Sequence, residues 1–169
     1  GEPTVDNTML KGLPEPWMKR TVEGDLGMRY SLTHVYEQIP GSDNPENEYM
    51  QQVKAWVELC TAHPDTLAAP GSEEEKLEEF LGRSAVSMAV ERHCGRIADV
   101  YTPLGLMHTQ EGKDLMNVPS VIGIGGVLRN SRRPEEILKG SLYDFMHPEC
   151  TKPRKPKFYL DQKYIFASM

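Results

Sequence analysis

The chain is 169 residues long, 38% hydrophobic and 26% charged, with a formal net charge of −6, which fits one globular domain, or one and a half, with a sizeable core. That acidic balance argues against a general nucleic-acid binder, because a phosphate backbone requires a basic face. No apolar run approaches the roughly 20 residues needed to span a bilayer, so no membrane partner is expected, and no secretory signal is visible.

From the amino terminus, Val5, Met9 and Leu10 suggest an edge strand or hairpin arm within residues 1–13. Leu13-Pro14-Glu15-Pro16-Trp17 is proline-punctuated and non-helical, and Thr21 to Gly27 forms a loop. Met28, Leu32, Val35, Tyr36 and Ile39 then repeat at helical spacing, and Pro40-Gly41 stops that helix. A second helix is expected to start within Ser42-Asp43-Asn44-Pro45-Glu46. Its apolar stripe is Tyr49, Val53, Trp56, Val57 and Cys60, and His63-Pro64 ends it. After a linker over 64–72, Ser72 caps an acidic first turn, Glu73-Glu74-Glu75. Leu77, Phe80 and Leu81 face inward, and Gly82 marks a possible break before a further helical run through Arg96.

Val100-Tyr101-Thr102 and Leu106-Met107-His108-Thr109 read as strands around Pro103-Leu104-Gly105. Next comes an apolar strand that runs straight into glycines, Val121-Ile122-Gly123-Ile124-Gly125-Gly126. Glycines there let a ligand approach the backbone, and exposed amides can bind phosphate; a plain tight turn reads the same way. A helix follows from Pro134 to about Tyr143. Residues 147–157 read as a solvated basic connector, and the chain ends in Phe158-Tyr159-Leu160 and a helix from Asp161.

Three cysteines, Cys60, Cys94 and Cys150, without a C-x-x-C pair, form no disulfide framework and indicate a reducing, cytoplasmic setting. His93-Cys94 and His147-Pro148-Glu149-Cys150 lack a second pair at suitable spacing, so no metal site is expected. Arg129, Arg132 and Arg133 follow the glycine turn closely enough for one to reach a phosphate. Gly24-Asp25-Leu26-Gly27 reads either as a helix entry capped by Asp25 or as an anion-binding loop. The start at Gly1 and the close at Met169 read as those of a fragment.

Three segments point further. They are Lys19 to Tyr30 (KRTVEGDLGMRY), Val100 to Pro103 with Gln110 to Leu115, and Val121 to Leu128. In these, and through Arg132 to Leu138 and Phe158 to Met169, the chain resembles the carboxy-terminal half of the MutL (GlmL) family. These are reactivating-factor-like accessory proteins of adenosylcobalamin-dependent aminomutases such as glutamate and ornithine mutase. The resemblance implies an α/β fold: the second lobe of an actin-like (ribonuclease H-like) ATPase, akin to sugar kinases and heat-shock chaperones, with an inserted helical subdomain. On that reading residues 1–27 begin the α/β lobe, 28–97 form the insertion, and 98–169 return to the lobe.

It further implies that Gly123, Gly125 and Gly126 form the adenosine-side glycine turn, and that Gly24, Asp25 and Gly27 belong to a loop near the terminal phosphates. ATP with Mg is the implied cofactor of the parent protein, a slow ATPase, and a cobalamin-dependent aminomutase is the implied partner; cobalamin itself is not expected to bind here. The superfamily's two phosphate-binding hairpins are not found in this sequence, so the fragment alone is expected to be inactive and catalytic residues remain unassigned. The alternatives are a small-molecule kinase, for which Asp25 is the one tempting base, and a nucleotide-independent interaction domain.

Overall fold

The structure is a computed structural model that describes residues 8–13, 15–103, 105–163 and 165. Its spine is α3 (Glu73–His93). The Ser72 side chain accepts a hydrogen bond from Glu75 N at 3.3 Å, and Glu73, Glu74 and Glu75 sit in the first turn with Arg92 and His93 in the last, so both ends suit the helix dipole. The break expected at Gly82 is absent: the helix runs unbroken for 21 residues. A Cβ on Gly82 would lie 3.2 Å from Ile137 Cγ2 and 3.4 Å from Val127 Cγ2. The glycine lets a neighbouring layer approach, which offsets its low helix propensity.

Two cores lie against α3. One takes Leu77, Leu81 and Ala85 and joins them to Leu26, to Leu32, Val35 and Tyr36 of α1 (Leu32–Glu37), and to Val53, Trp56, Val57 and Cys60 of α2 (Glu48–Ala62). Helix α1 begins later than its apolar spacing suggests, because the Ser31 hydroxyl turns back to donate to Gly24 O at 2.8 Å rather than capping α1. Helix α2 also starts late. Pro45 disfavours helical geometry just before it, and Asn47 is the cap, accepting from Met50 N at 3.2 Å.

Beyond α3, β2 (Arg96–Thr102) and β3 (Gly105–Glu111) form an antiparallel hairpin, and β1 (Thr8–Leu10) adds in parallel to β3. Val5 lies outside the described residues. The second core is built by β4 (Ser120–Gly123) and β5 (Lys157–Leu160), a parallel pair, with α4 (Gly126–Asn130) and α5 (Pro134–Leu138). Leu128, Ile137 and Leu138 meet Val86, Val121, Phe158 and Leu160 there. Helix α5 stops short of Tyr143 and passes into a 3-10 turn over 139–141. A Cβ on Gly140 would collide with Arg83 O, so this turn rests directly on the α3 backbone.

The solvated connector expected over 147–157 is corrected by burial: Cys150, Thr151, Lys152 and Pro153 are interior. Thr151 N donates to Gly95 O at 3.0 Å and its hydroxyl to Lys113 O at 3.1 Å. A segment read as polar therefore works as a strut, with its peptide groups satisfied inside. From Asp161 the described chain forms a turn over 162–163; of the helix expected there, residues 164 and 166–169 lie outside the described residues. The whole is a mixed α/β architecture with two small sheets and five helices among the described residues.

Candidate functional site

The glycine turn divides into a packed half and an open half. Gly123 is buried, and a Cβ there would lie 2.6 Å from Leu128 Cδ1 and 2.7 Å from Leu138 Cδ2. Its lack of a side chain serves the second core. Gly125 has φ 139°, a conformation that L side chains rarely adopt. A Cβ on Gly125 or Gly126 would meet nothing within 4 Å. Helix α4 starts at Gly126, with Arg129 N donating to Gly125 O at 3.0 Å; the amides of its first turn have no intrahelical acceptor. The turn sits at the carboxyl end of a parallel strand, where open α/β sheets commonly bind ligands.

The three arginines after the turn separate clearly. Arg132 bonds Glu75 through Nε at 3.0 Å and Nη2 at 2.9 Å. Arg133 Nη2 lies 2.5 Å from Glu79. The Arg132 bonds, helped by Gly71 N, hold the Glu75 carboxyl down to about 2. These two arginines are staples between α3 and the segment after α4. Arg129 is exposed and remains the cation of this group available to an anion at the turn.

The other glycine corner is filled from within. Gly24–Leu26 forms a 3-10 turn. Asp25 receives Arg92 Nη1 and Nη2, both at 2.8 Å, and Arg92 also reaches Glu23 at 2.5 Å and Gln38 at 2.6 Å. Those Arg92 bonds hold Asp25 well below the usual carboxylate range. Asp25 thus clamps α3 rather than capping α1. A Cβ on Gly27 would meet Ser31 at 3.6 Å, an ordinary contact.

Both corners rest on α3, but at different heights. Arg92 holds Asp25, while Gly82 receives Val127. Ten residues of helix separate those anchor points, about 15 Å at 1.5 Å per residue.

His93 Nδ1 pairs with Thr21 Oγ1 at 3.1 Å, and burial pushes its pKa down. Burial pushes the Cys94 thiol up to about 11, away from the thiolate a nucleophile or metal ligand needs. Among the described residues no group of three His, Cys, Asp or Glu side chains could hold a metal ion, and no helix is long and apolar enough to cross a membrane.

Sequence reasoning missed Lys152, which is 1% exposed, with Nζ 2.9 Å from Ser87 Oγ and 3.3 Å from Glu91 Oε1. Its position among prolines and other cations hid it. It also missed Arg29, which pairs with Glu78 at 2.7 Å.

Compared with known proteins, the chain matches over residues 1–169 the family model described as MutL protein. The chain belongs to the MutL protein family. It is 42% identical over 172 residues to Protein MutL of Clostridium tetanomorphum, a match that covers 100% of this chain and 37% of that relative. No solved structure matches the chain.

Proposed function

We propose that this chain is part of an ATP-dependent accessory protein that maintains an adenosylcobalamin-dependent aminomutase, such as glutamate or ornithine mutase, in the cytoplasm. Membership of the MutL family over the whole chain is the observation that carries this reading. The chain's own contribution is the open corner. Gly125 and Gly126 leave space for a ligand to touch the backbone, the first amides of α4 supply donors, and Arg129 supplies a positive charge. These groups suit the anionic and ribose parts of a nucleotide. Gly123 forms the floor, fixing β4 against α4 and α5.

At the corner of Gly24, Asp25 and Gly27, Arg92 engages the Asp25 carboxylate and Ser31 the Gly24 carbonyl. That corner's part in the proposal is to set the position of α1 against the end of α3. Bound Mg-ATP would supply the free energy for a change of domain arrangement, which a mutase partner reads as a shift in equilibrium.

The test is recovery of inactivated mutase by the full-length protein. ATP-dependent recovery is expected, and replacing Gly126 by leucine, which fills the open corner, should abolish it. Equal recovery without ATP, or with Gly126→Leu, would overturn the proposal.

A further inference from the structure

A cavity of about 510 Å³ lies against α3. Phe80, Arg83, Ser84 and Ser87 form one wall, Lys139–Gly140 and 142–145 form the other, and Lys152 completes the lining. The collision that a Cβ on Gly140 would make with Arg83 O shows how closely the second wall is set against α3.

The donors here outnumber their internal partners. The Lys152 ammonium has three hydrogens and two partners among the described residues, Ser87 Oγ and Glu91. Ser87 accepts that bond and keeps its own hydrogen to donate. Arg83 is exposed and makes no hydrogen bond or ion pair among the described residues. Two aromatic rings, Phe80 and Tyr143, line the same space. Tyr143 is held on one side by Arg154, 5.3 Å from its ring centroid, and edge-on by Phe145 at 5.4 Å.

The charges limit what could bind. Lys139 is taken by Glu136 at 2.6 Å, and Glu91 offsets Lys152. Asp144 is the carboxylate in the lining, with Oδ1 already accepting Met146 N. Arg83 lies near enough to Glu136 for its charge to help hold that carboxyl down, but it makes no hydrogen bond or ion pair among the described residues, which leaves its guanidinium donors for a monoanion. A dianionic phosphate would meet Asp144 and Glu91 without a second free cation. The planar guanidinium also suits a carboxylate in a paired geometry.

We propose that this cavity binds a small monocarboxylate with a flat apolar body. Its carboxylate is taken by Arg83, the third Lys152 hydrogen and the Ser87 hydroxyl, and its ring lies against Phe80 and Tyr143. The site is separate from the glycine corner and does not depend on nucleotide.

The test is titration of the full-length protein with phenylacetate, 2-phenylethanol and phenyl phosphate, followed by calorimetry or amide chemical shifts. Phenylacetate is expected to bind at least about tenfold more tightly than either of the others, the scale of a lost charged hydrogen bond. Arg83→Gln should weaken it by about tenfold with an unchanged thermal midpoint, and Ser87→Ala by a few fold with a lowered midpoint, because buried Lys152 loses one of its two partners, while Gly126→Leu leaves the affinity unaltered. Lys152→Met would strand Glu91 and risks misfolding, so the outcome rests on the first two variants. Equal binding of phenylethanol or phenyl phosphate, unchanged affinity in Arg83→Gln, or no saturable phenylacetate binding would each overturn the proposal.

Discussion

The corner at Gly24–Gly27 and the corner at Gly123–Gly126 have similar glycine content and opposite physics. In the first, the charged side chains are already paired with one another. Arg92 holds Asp25, Glu23 and Gln38, and Ser31 holds Gly24 O. In the second, one glycine is packed into a core and the next two face empty space. Glycine count therefore does not say whether a corner has room for a ligand; what surrounds the missing Cβ does.

The largest effect expected from this contrast is at Gly123. Alanine there would drive a methyl into Leu128 and Leu138, at a cost of about 1–3 kcal/mol from overpacking. Gly126→Ala, three positions on, enters open space at the start of a helix and should be neutral or stabilising by up to about 1 kcal/mol. Denaturant unfolding of the two variants checks this. Equal losses would show that the second half of the turn is as filled as the first, and the contrast between the corners would fail.

Much of this arrangement was legible in the sequence. The Ser72 cap, the apolar stripe of α2, the strands through residues 100–102 and 106–109 and the strand into the glycine turn all follow from local chemistry. What escaped was decided by partners distant in sequence. Gly82 resembles a helix break until Ile137 and Val127 are seen against it. Asp25 resembles a cap or an anion-loop carboxylate until Arg92, 67 residues on, claims it. Lys152 resembles part of a solvated run because only Ser87 and Glu91 make its burial tolerable. Nothing in the spacing of Arg129, Arg132 and Arg133 says which two meet glutamates on α3.

A smaller effect comes from acid. Glu75, held down to about 2 from an ordinary 4.5, steadies the segment after the open corner through Arg132. Because its folded pKa is the lower one, its stabilisation is complete above the unfolded value and disappears as the pH falls from about 4.5 towards 2. The unfolding midpoint should fall across that window, and Glu75→Gln should flatten this part of the profile. An unaltered profile in Glu75→Gln would remove Glu75 from the supports of the open corner.

The smallest effect on stability is expected from Arg92→Gln, although Arg92 makes the most bonds of any side chain at the filled corner. Its cluster is half-exposed, and exposed ion pairs contribute little to global stability. The change should instead be local. Leu26 N, which donates to Glu23 O at 3.2 Å, should exchange its hydrogen faster while the thermal midpoint moves little. On the proposed function, nucleotide affinity of the full-length protein should be almost unchanged, in contrast to the loss expected in Gly126→Leu. If Arg92→Gln removes nucleotide binding and Gly126→Leu does not, the roles of the two corners are reversed: the ion cluster is then the ligand's seat, and the open turn only a joint between β4 and α4.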